Sequence, residues 1–400
     1  MLKELIIQDY ACLTKRVNTA RFGPFEFVIG LDSQQILVAL QRVEDAHERF
    51  IASPLSQVAN QLEREVVVSS VFGTNTIEGG VLSESETETA LQLDPKQVKE
   101  IEQRRAINIK AGYDYARQQA TQADWVLSTS FILEVHRLIC QDLPHADNQP
   151  GVIRDTPKDR VTYVGNDAHG GRYKPPQFGK DVALLLDNLV DWHNQLIAAG
   201  IPALIRAPLI HLYYELIHPF WDCNGRVGRV VEATLLQSAG YRYAPFAMAR
   251  YYLANIDAYF TLFNTCRKSA DNGNLLPNQL FLDFFLEGMR QTINALHDRV
   301  NSLVGMLLFE SNIRRALEQK HINARQYTIV SQLLSQGKPS LLEDIRRTPW
   351  YTSLYLKLND KTRQRDLIRL RELALIHLDM EGRVWPGCFE PANIKVLSRS

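Results

Sequence analysis

The chain has 400 residues, of which 45% are hydrophobic and 22% charged, and its 45 Lys and Arg balance 45 Asp and Glu. This length predicts two or three domains, and the composition excludes a disordered chain. The formal net charge of zero favours neither nucleic acid nor an acidic partner. It does not exclude a local patch of charge. No run approaches the roughly 18 apolar residues of a membrane span, so we expect none.

The five cysteines are scattered, with no CxxC pair among them. This spacing favours reduced thiols in a cytoplasmic protein over a disulfide framework or a zinc site. The N-terminal segment "MLKELIIQDYACLTKR" carries Glu4 and Asp9, which do not suit a secretory signal. The cysteines are Cys12, Cys140, Cys223, Cys266 and Cys388.

The chain before residue 149 has a helical pattern. Apolar residues at helical spacing predict helices over 55–72, 97–119 and 127–142. The first of these breaks at Gly79 and Gly80. Two capping-box patterns fit the start of the next helix, Ser83 with Glu86 and Ser85 with Glu88.

Residues 149–177 differ from their surroundings because strand-type and turn-type residues replace the helical spacing. The strand-type residues are Val161, Tyr163 and Val164, and the turn formers are Asn166, Asp167, Gly170 and Gly171. We predict a small β-hairpin or flap over 151–176, inserted into a helical body. Helical spacing then returns in two segments with buried stripes, on either side of residues 218–229.

The last 90 residues have a separate pattern. The segment "ARQYTIVSQLLSQGK" is typical of a helix ending at glycine, and "IHLDMEGRVW" alternates around a turn as a hairpin would. Between them lies the basic helix "DKTRQRDLIRLRELALI". This order predicts a winged-helix module, and such a helix can read DNA, although many such modules only pack or bind protein. Its cations are Lys361, Arg363, Arg365, Arg369 and Arg371.

The segment "HPFWDCNGRVGR", residues 218–229, concentrates the chemistry of the chain. It is a loop entering a helix N-terminus, where free N–H groups and the helix dipole favour an anion such as phosphate. Arg226 and Arg229 lie three apart, so both can face that anion and bind it bidentately. Asp222 can hold Mg²⁺ that carries phosphate oxygens, and His218 is a candidate general base. Together they predict a cradle for a magnesium nucleotide.

Each part alone has an ordinary structural explanation: a His-Pro turn, an Asp-x-Asn-Gly turn and a solvated pair of arginines. Their combination resembles the signature of the Fic family, His-Pro-Phe-x-Asp/Glu-Gly-Asn-Gly/Lys-Arg-x-x-Arg. The matching residues are His218, Pro219, Phe220, Asp222, Asn224, Gly225, Arg226 and Arg229. The resemblance implies a mainly α fold, a Fic (Fido) helical core with a small β-hairpin flap, and it covers roughly residues 40–290.

Most Fic proteins are adenylyltransferases that move AMP from ATP to a Ser, Thr or Tyr hydroxyl of a target protein. The resemblance implies that His218 deprotonates the hydroxyl, Asp222 binds Mg²⁺ and the flap docks the target. It also implies that the backbone of 223–226 and Asn224 hold the α-phosphate, and that both arginines engage the other phosphates. The nucleotide-binding set is Cys223, Asn224, Gly225, Arg226 and Arg229, with Tyr251, Tyr252 and Asn255 as base-pocket candidates.

Cys223 departs from the family pattern, which has glycine there. If the position needs positive φ, cysteine costs on the order of 1 kcal/mol. If it needs only its N–H, cysteine is tolerated as an inert substitution. The thiol, beside a helix N-terminus, could also have a lowered pKa.

The segment "TNTIEG" resembles the inhibitory motif of the family, with Thr74, Glu78 and Gly79 at its defining positions. Glu78 is predicted at a helix C-terminus, where the dipole disfavours a carboxylate by roughly 0.3–1 kcal/mol. The resemblance implies that Arg229 pairs with it, which would block placement of the γ-phosphate. A solvated Glu78 is the alternative.

Three functions stay open. The chain is an autoinhibited adenylyltransferase; or its site removes AMP or transfers another phosphate-containing group; or it is a nucleotide-sensing DNA-binding regulator. The predicted domains are an N-terminal helical region over 1–105, the core over 106–300 and the winged helix over 301–400. Self-modification and a homodimer stay open as well.

Overall fold

The computed structural model describes residues 13–122, 124–144, 147 and 149–389. The N-terminal segment to residue 12, with Cys12, lies outside them. The described chain is mainly helical, with three small antiparallel sheets, and forms two compact units. One unit holds residues 13–55 and 59–297, and the other holds 56–58 and 298–389. None of the described helices combines the length and apolarity needed to cross a membrane.

The first unit contains two hairpins among helices. Strands β1 (Lys15–Asn18) and β2 (Pro24–Phe27) form one hairpin, and β3 (Val164–Asn166) and β4 (Gly171–Tyr173) form the other. The helices are α1 (Ser33–Ile51), α2 (Ala59–Ile77), α3 (Glu84–Ala90), α4 (Ile101–Ala120), α5 (Thr129–Cys140), α6 (Gly179–Ala198), α7 (Ala203–Ile217), α8 (Asn224–Ser238), α9 (Ala244–Ala254) and α10 (Ile256–Asp271). Helix α11 (Gln279–Glu318) begins in this unit.

Helices α7 and α8 form the centre of the first unit. Both are buried on almost every face, as expected of helices that other elements surround. The loop of residues 218–223 joins them, so the packing of two core helices fixes both ends of the predicted cradle.

Several predicted boundaries move. Helix α2 begins at Ala59 and continues to Ile77, so the predicted 55–72 helix is shifted towards the C-terminus. The capping box of Ser83 and Glu86 begins α3 and is confirmed, whereas Ser85 lies inside that helix. Strand pairing in the flap is limited to Val164–Tyr173, so the prediction of a hairpin over 151–176 was too long.

The β1–β2 hairpin was not predicted, because two four-residue strands around a glycine give little periodicity. It is held by packing and by a buried carboxylate. The ring of Phe27 stacks on Trp192 of α6, with centroids 5.6 Å apart. Asp181 accepts hydrogen bonds from three consecutive N–H groups of the hairpin turn, Ala20, Arg21 and Phe22, at 2.9–3.0 Å.

The second unit combines short helices with a three-stranded sheet. Its further helices are α12 (Ala324–Gln336), α13 (Leu342–Arg347), α14 (Pro349–Leu354) and α15 (Asp360–Glu372). Its strands are β5 (Ser340–Leu341), β6 (Ile376–Leu378) and β7 (Arg383–Pro386), in the order β5–β7–β6. The hairpin expected around Glu381 and Gly382 is therefore present, and β5 extends it by one strand. The winged-helix interpretation of this unit stays a prediction.

Candidate active site

The loop between α7 and α8 has a left-handed residue at each end. His218 has φ 52° and ends α7, and Cys223 has φ 68° and precedes α8. Between them, Asn224 accepts a hydrogen bond from Phe220 N at 3.0 Å and donates one to Phe220 O at 2.8 Å. The Asn224 amide therefore shapes the loop. What the segment offers an anion is the set of N–H groups at the start of α8, which have no intrahelical acceptor.

His218 lies at the rim of this loop, where its side chain is 19% exposed. The Nδ1 atom is 3.7 Å from Oε2 of Glu215, one turn earlier on α7. This distance is too long for a hydrogen bond, and Nδ1 is buried without a hydrogen-bond partner among the described residues. Glu215 was not predicted as a site residue.

Arg154 holds the backbone of His218 in place. Its Nε donates to the His218 carbonyl at 2.7 Å, and its Nη2 donates to the Pro176 carbonyl at 2.6 Å. Its Nη1 donates to Thr156 at 3.0 Å. The side chain is buried, and this burial lowers its pKa to about 10, so it is still charged at neutral pH. This role was not predicted, because a single arginine in a turn-rich segment is ordinary.

The two arginines of the motif are buried and pair with different carboxylates. Arg226 donates to Oδ1 of Asp222 at 2.8 Å, and Arg229 donates to Oε1 of Glu78 at 2.7 Å. The Nε atoms of both arginines are buried without a hydrogen-bond partner among the described residues. Buried atoms without a partner also occur far from the motif, at Ser331 and Tyr351 among the described residues, so these donors do not by themselves indicate a ligand.

Glu78 follows the last residue of α2, and Gly79 continues the turn with φ 78°. Arg229 also donates to the Thr74 carbonyl at 3.3 Å, so the end of α2 contacts its guanidinium twice. The pKa of Arg229 is raised: burial lowers it, but Tyr259 and Glu78 outweigh that effect. Tyr259 is neutral at physiological pH, so we assign the stabilisation to Glu78.

Gly225 allows the close approach of Glu78. A Cβ atom at this position would collide with Oε1 of Glu78 and crowd Nη1 of Arg229. The Asn-Gly of the motif thus serves two purposes, since it opens the loop to an anion and lets a carboxylate lie against it.

Cys223 forms a disulfide with Cys140, the last residue of α5. The expectation that all cysteines are reduced is therefore wrong for this pair, because sequence spacing does not reveal that residues 83 apart meet in the fold. The backbone of Cys223 has a positive φ. The position therefore favours glycine, and cysteine there carries the conformational cost described above. Cys266 and Cys388 are free thiols.

A cavity of about 300 Å³ joins the motif to the flap. Glu78, His218 and Gly225 line one side of it, and residues of the flap line another. The third side consists of α10 side chains, among them Tyr259, Phe260, Phe263 and Asn264.

The predicted base-pocket residues do not line this cavity. Tyr252 is buried and donates to Glu232 at 2.7 Å, while its ring stacks on Tyr259 at 4.5 Å. Tyr251 packs on Phe284, and Asn255 donates to the Tyr251 carbonyl at 2.9 Å. The aromatic residues that face this cavity come from α10, and base binding by Tyr251, Tyr252 and Asn255 stays a prediction.

Asp222 fits a magnesium site on its chemistry. Its side chain is 39% exposed, and the residue lies in the loop two positions before the start of α8. A single carboxylate beside bound phosphate is the usual protein contribution to Mg²⁺, which keeps several waters.

Comparisons with known proteins agree with this geometry. Residues 126–236 match the Fic/DOC family model, and this range contains the whole motif. Over these residues the chain is similar to the Fic/DOC family. Two solved structures share its fold, a Fic domain-containing signaling protein from Bacteroides thetaiotaomicron and a Fic family protein from Desulfovibrio desulfuricans. The first has a TM-score of 0.55 and 20% identity, covering 65% of this chain and 97% of that one. The second has a TM-score of 0.53 and 16% identity, and it covers 88% of this chain and 95% of that one.

Curated proteins that are similar to this chain match it over part of their own length. The protein adenylyltransferase Fic of Drosophila ananassae is 28% identical over 233 residues, which are 57% of this chain and 42% of the relative. That of Aedes aegypti is 26% identical over 193 residues, 47% of this chain and 36% of the relative. The chain thus spans less than half the length of either relative.

Proposed function

We propose that this chain is a protein adenylyltransferase that moves AMP from ATP to a Ser, Thr or Tyr hydroxyl of a target protein. One observation carries the proposal: His218 lines the same cavity as Gly225, which lies in the first turn of α8. A base beside a phosphate-sized set of donors suits phosphoryl-group chemistry, where positioning and charge stabilisation do most of the work. We assign the catalytic core to 106–300 and the inhibitory region to 1–105.

The reaction follows from these positions. The target hydroxyl oxygen attacks the α-phosphorus of ATP, and His218 takes the hydroxyl proton. The bond from the α-phosphorus to the bridging oxygen breaks, so that pyrophosphate leaves. The N–H groups at the start of α8 and the guanidinium groups of Arg226 and Arg229 stabilise the negative charge. Mg²⁺ held by Asp222 would neutralise charge on the leaving phosphates.

Glu78 acts as a brake in this proposal. It occupies Nη2 of Arg229, the group that would bind the terminal phosphates, and it lies against Gly225. ATP would then bind without its phosphates in line for transfer. Thr74 and Gly79 support the brake, since Thr74 fixes the end of α2 on Arg229 and Gly79 allows the turn.

The flap would dock the target. Strands β3 and β4 are three residues each and lie at the mouth of the cavity, with Val164, Asn166 and Tyr173 among its lining. A target segment could extend such a hairpin by backbone pairing, which would bring its hydroxyl towards His218. The chain itself is a candidate target.

The test uses ATP labelled at the α- or the γ-phosphate, the Glu78→Gly variant and a lysate as a source of targets. We expect covalent label from α-labelled ATP only, and none after His218→Ala is added. Label from γ-labelled ATP would show phosphoryl transfer, and label that survives His218→Ala would remove the proposed base.

The reverse reaction is the second candidate, and the position of Glu78 favours it. The Glu78 carboxylate lines the same cavity as His218, where it could align a water against an AMP-modified hydroxyl. Release of AMP from a labelled target by wild type, lost in Glu78→Gly, would support this candidate. Transfer of another phosphate-containing group would show as label from a different donor.

A further inference from the structure

The neutral charge of the chain conceals an asymmetry between its two units. Residues 298–400 contain 17 Lys and Arg against 11 Asp and Glu, whereas residues 1–297 contain 28 against 34. The C-terminal part therefore carries a formal charge of +6 and the rest −6. Charge asymmetry of this kind is typical of chains in which one part meets a polyanion.

A buried carboxylate fixes the rotation of helix α15 in the second unit. Asp366 accepts hydrogen bonds from Nε2 of Gln326 and from the hydroxyl of Tyr355, both at 2.9 Å, and from Nε of Arg325 at 3.2 Å. Leu367 and Leu370 are buried beside it in the core of this unit. These contacts turn one face of α15 towards α12 and Tyr355, the residue after α14. The opposite face of α15 therefore points away from the core of this unit.

The outward face of α15 is cationic and largely unpaired. Its exposed residues include Lys361, Gln364, Arg365, Ile368, Arg369 and Arg371. Among the described residues, Lys361, Arg365 and Arg371 have no carboxylate within ion-pair distance, while Arg369 reaches Glu372 only at 3.7 Å. Ile368 is 53% exposed in their midst. In the described part of the second unit, Lys361, Arg365 and Arg371 thus keep their charge unpaired, so this face complements a polyanion.

We propose that α15 binds double-stranded DNA in the major groove, a function separate from that proposed for the first unit. A thirteen-residue helix that follows another helix across a short turn has the dimensions and setting of a recognition helix. Arginine and glutamine bind base edges bidentately, and an exposed aliphatic side chain suits a thymine methyl group. The tip of the β6–β7 hairpin contains Asp379 and Glu381, both paired with Arg383, so the phosphate contacts come from α15.

The test measures fluorescence anisotropy of a fluorescein-labelled duplex of mixed sequence with the full chain at several salt concentrations. We expect binding that weakens linearly with the logarithm of salt. Lys361→Ala with Arg365→Ala should weaken binding about tenfold or more and reduce the salt slope by about 2. Arg314→Ala is the matched control, since it removes an exposed cation paired with Glu310 and should bind like wild type.

Circular dichroism of each variant establishes that the helices are intact. Equal binding by the double variant and wild type would overturn the proposal, and so would no binding at low salt. Binding of poly-glutamate in place of DNA would also overturn it, because the face would then belong to an acidic protein partner. Label transfer is unaffected by either outcome, so this test and that of the enzymatic proposal are independent.

Discussion

At the scale of single residues, the candidate site depends on a backbone conformation of His218 that is rare outside glycine. His218 is a non-glycine residue with positive φ, a conformation that costs energy unless its surroundings enforce it. Arg154 supplies that enforcement, because its guanidinium binds the carbonyls of His218 and Pro176 together. The position of the base thus depends on a side chain that does not line the cavity.

We expect Arg154→Lys to lower the rate of label transfer by on the order of 10²-fold while ATP affinity changes little. Lysine keeps the charge but cannot reach three acceptors in a planar fork, so His218 loses its fixed position. Steady-state rates and equilibrium binding of ATP, measured on the Glu78→Gly background, separate the two effects. An unchanged maximal rate would show that Arg154 does not position the base.

The motif residues could be selected from the sequence because their chemistry is local to twelve positions. It did not predict Arg154 or Glu215, whose roles arise from contacts with His218 that the fold creates. The base-pocket residues stay a prediction, because the sequence does not show which aromatic side chains face the cavity. Aromatic residues recur along α9 and α10, and only packing decides that Tyr259 faces the cavity while Tyr252 lies behind it.

At the scale of elements, the loop before α8 is attached at both sides. Its start is set by α7, and Cys223 ties its end to α5 through the disulfide with Cys140. The ring of His136, one turn before Cys140, stacks on Phe220 within the loop, with centroids 3.6 Å apart. The loop therefore contacts three helices, all predicted from the sequence, but the contact with α5 was not predicted.

Reduction of this disulfide should lower the stability of the first unit. A cross-link between residues 83 apart restricts the unfolded chain, and losing one typically costs about 2–4 kcal/mol. Thermal unfolding with and without reductant, compared with the Cys140→Ser variant, measures the effect. We expect reductant to lower the melting temperature of wild type and leave the variant unchanged. Alkylation of both cysteines in native, unreduced protein would contradict the assignment.

Boundaries of elements were predictable where local chemistry sets them. The capping box at Ser83 begins α3 as expected, because its hydrogen bonds lie within four residues. The flap was overestimated because strand-type residues at 161–163 have no partner strand, and only the ladder from Val164 to Tyr173 forms. Strand pairing is a tertiary property, which residue preference alone does not determine.

At the scale of the whole molecule, the two units divide charge and function between them. The first contains the cavity with Glu78 and His218, and the second contains the cationic helix α15. Composition alone obscured this division, since the opposite charges of the two parts cancel.

The stability of the first unit should depend on pH through His193. Burial and then the neighbouring Arg206 lower the pKa of His193 to about 3, from a usual value near 6.5. Between about pH 3 and pH 6.5, His193 takes up a proton only in the unfolded chain. The contribution of neutral His193 to the free energy of unfolding is therefore complete above about pH 6.5. It is lost as the pH falls towards 3, by at most about 1.4 kcal/mol per pH unit.

Denaturant unfolding of wild type and His193→Gln across this range isolates the contribution. Glutamine can still accept the hydrogen bond from Arg206, which His193 Nε2 makes at 2.8 Å. We expect a flatter dependence of the unfolding free energy on pH in the variant. Parallel curves would show that His193 titrates alike in the folded and unfolded states.

The central claim is that Glu78 restrains adenylyl transfer by holding Arg229. The most direct measurement is the initial rate of label transfer from α-labelled ATP with Mg²⁺, compared for wild type, Glu78→Gln and Glu78→Gly. The account predicts a rate about tenfold or more above wild type for Glu78→Gly. The rate for Glu78→Gln should lie between those of wild type and Glu78→Gly, because glutamine keeps the size of the side chain and removes its charge. A rate for folded Glu78→Gly equal to or below that of wild type would contradict the account.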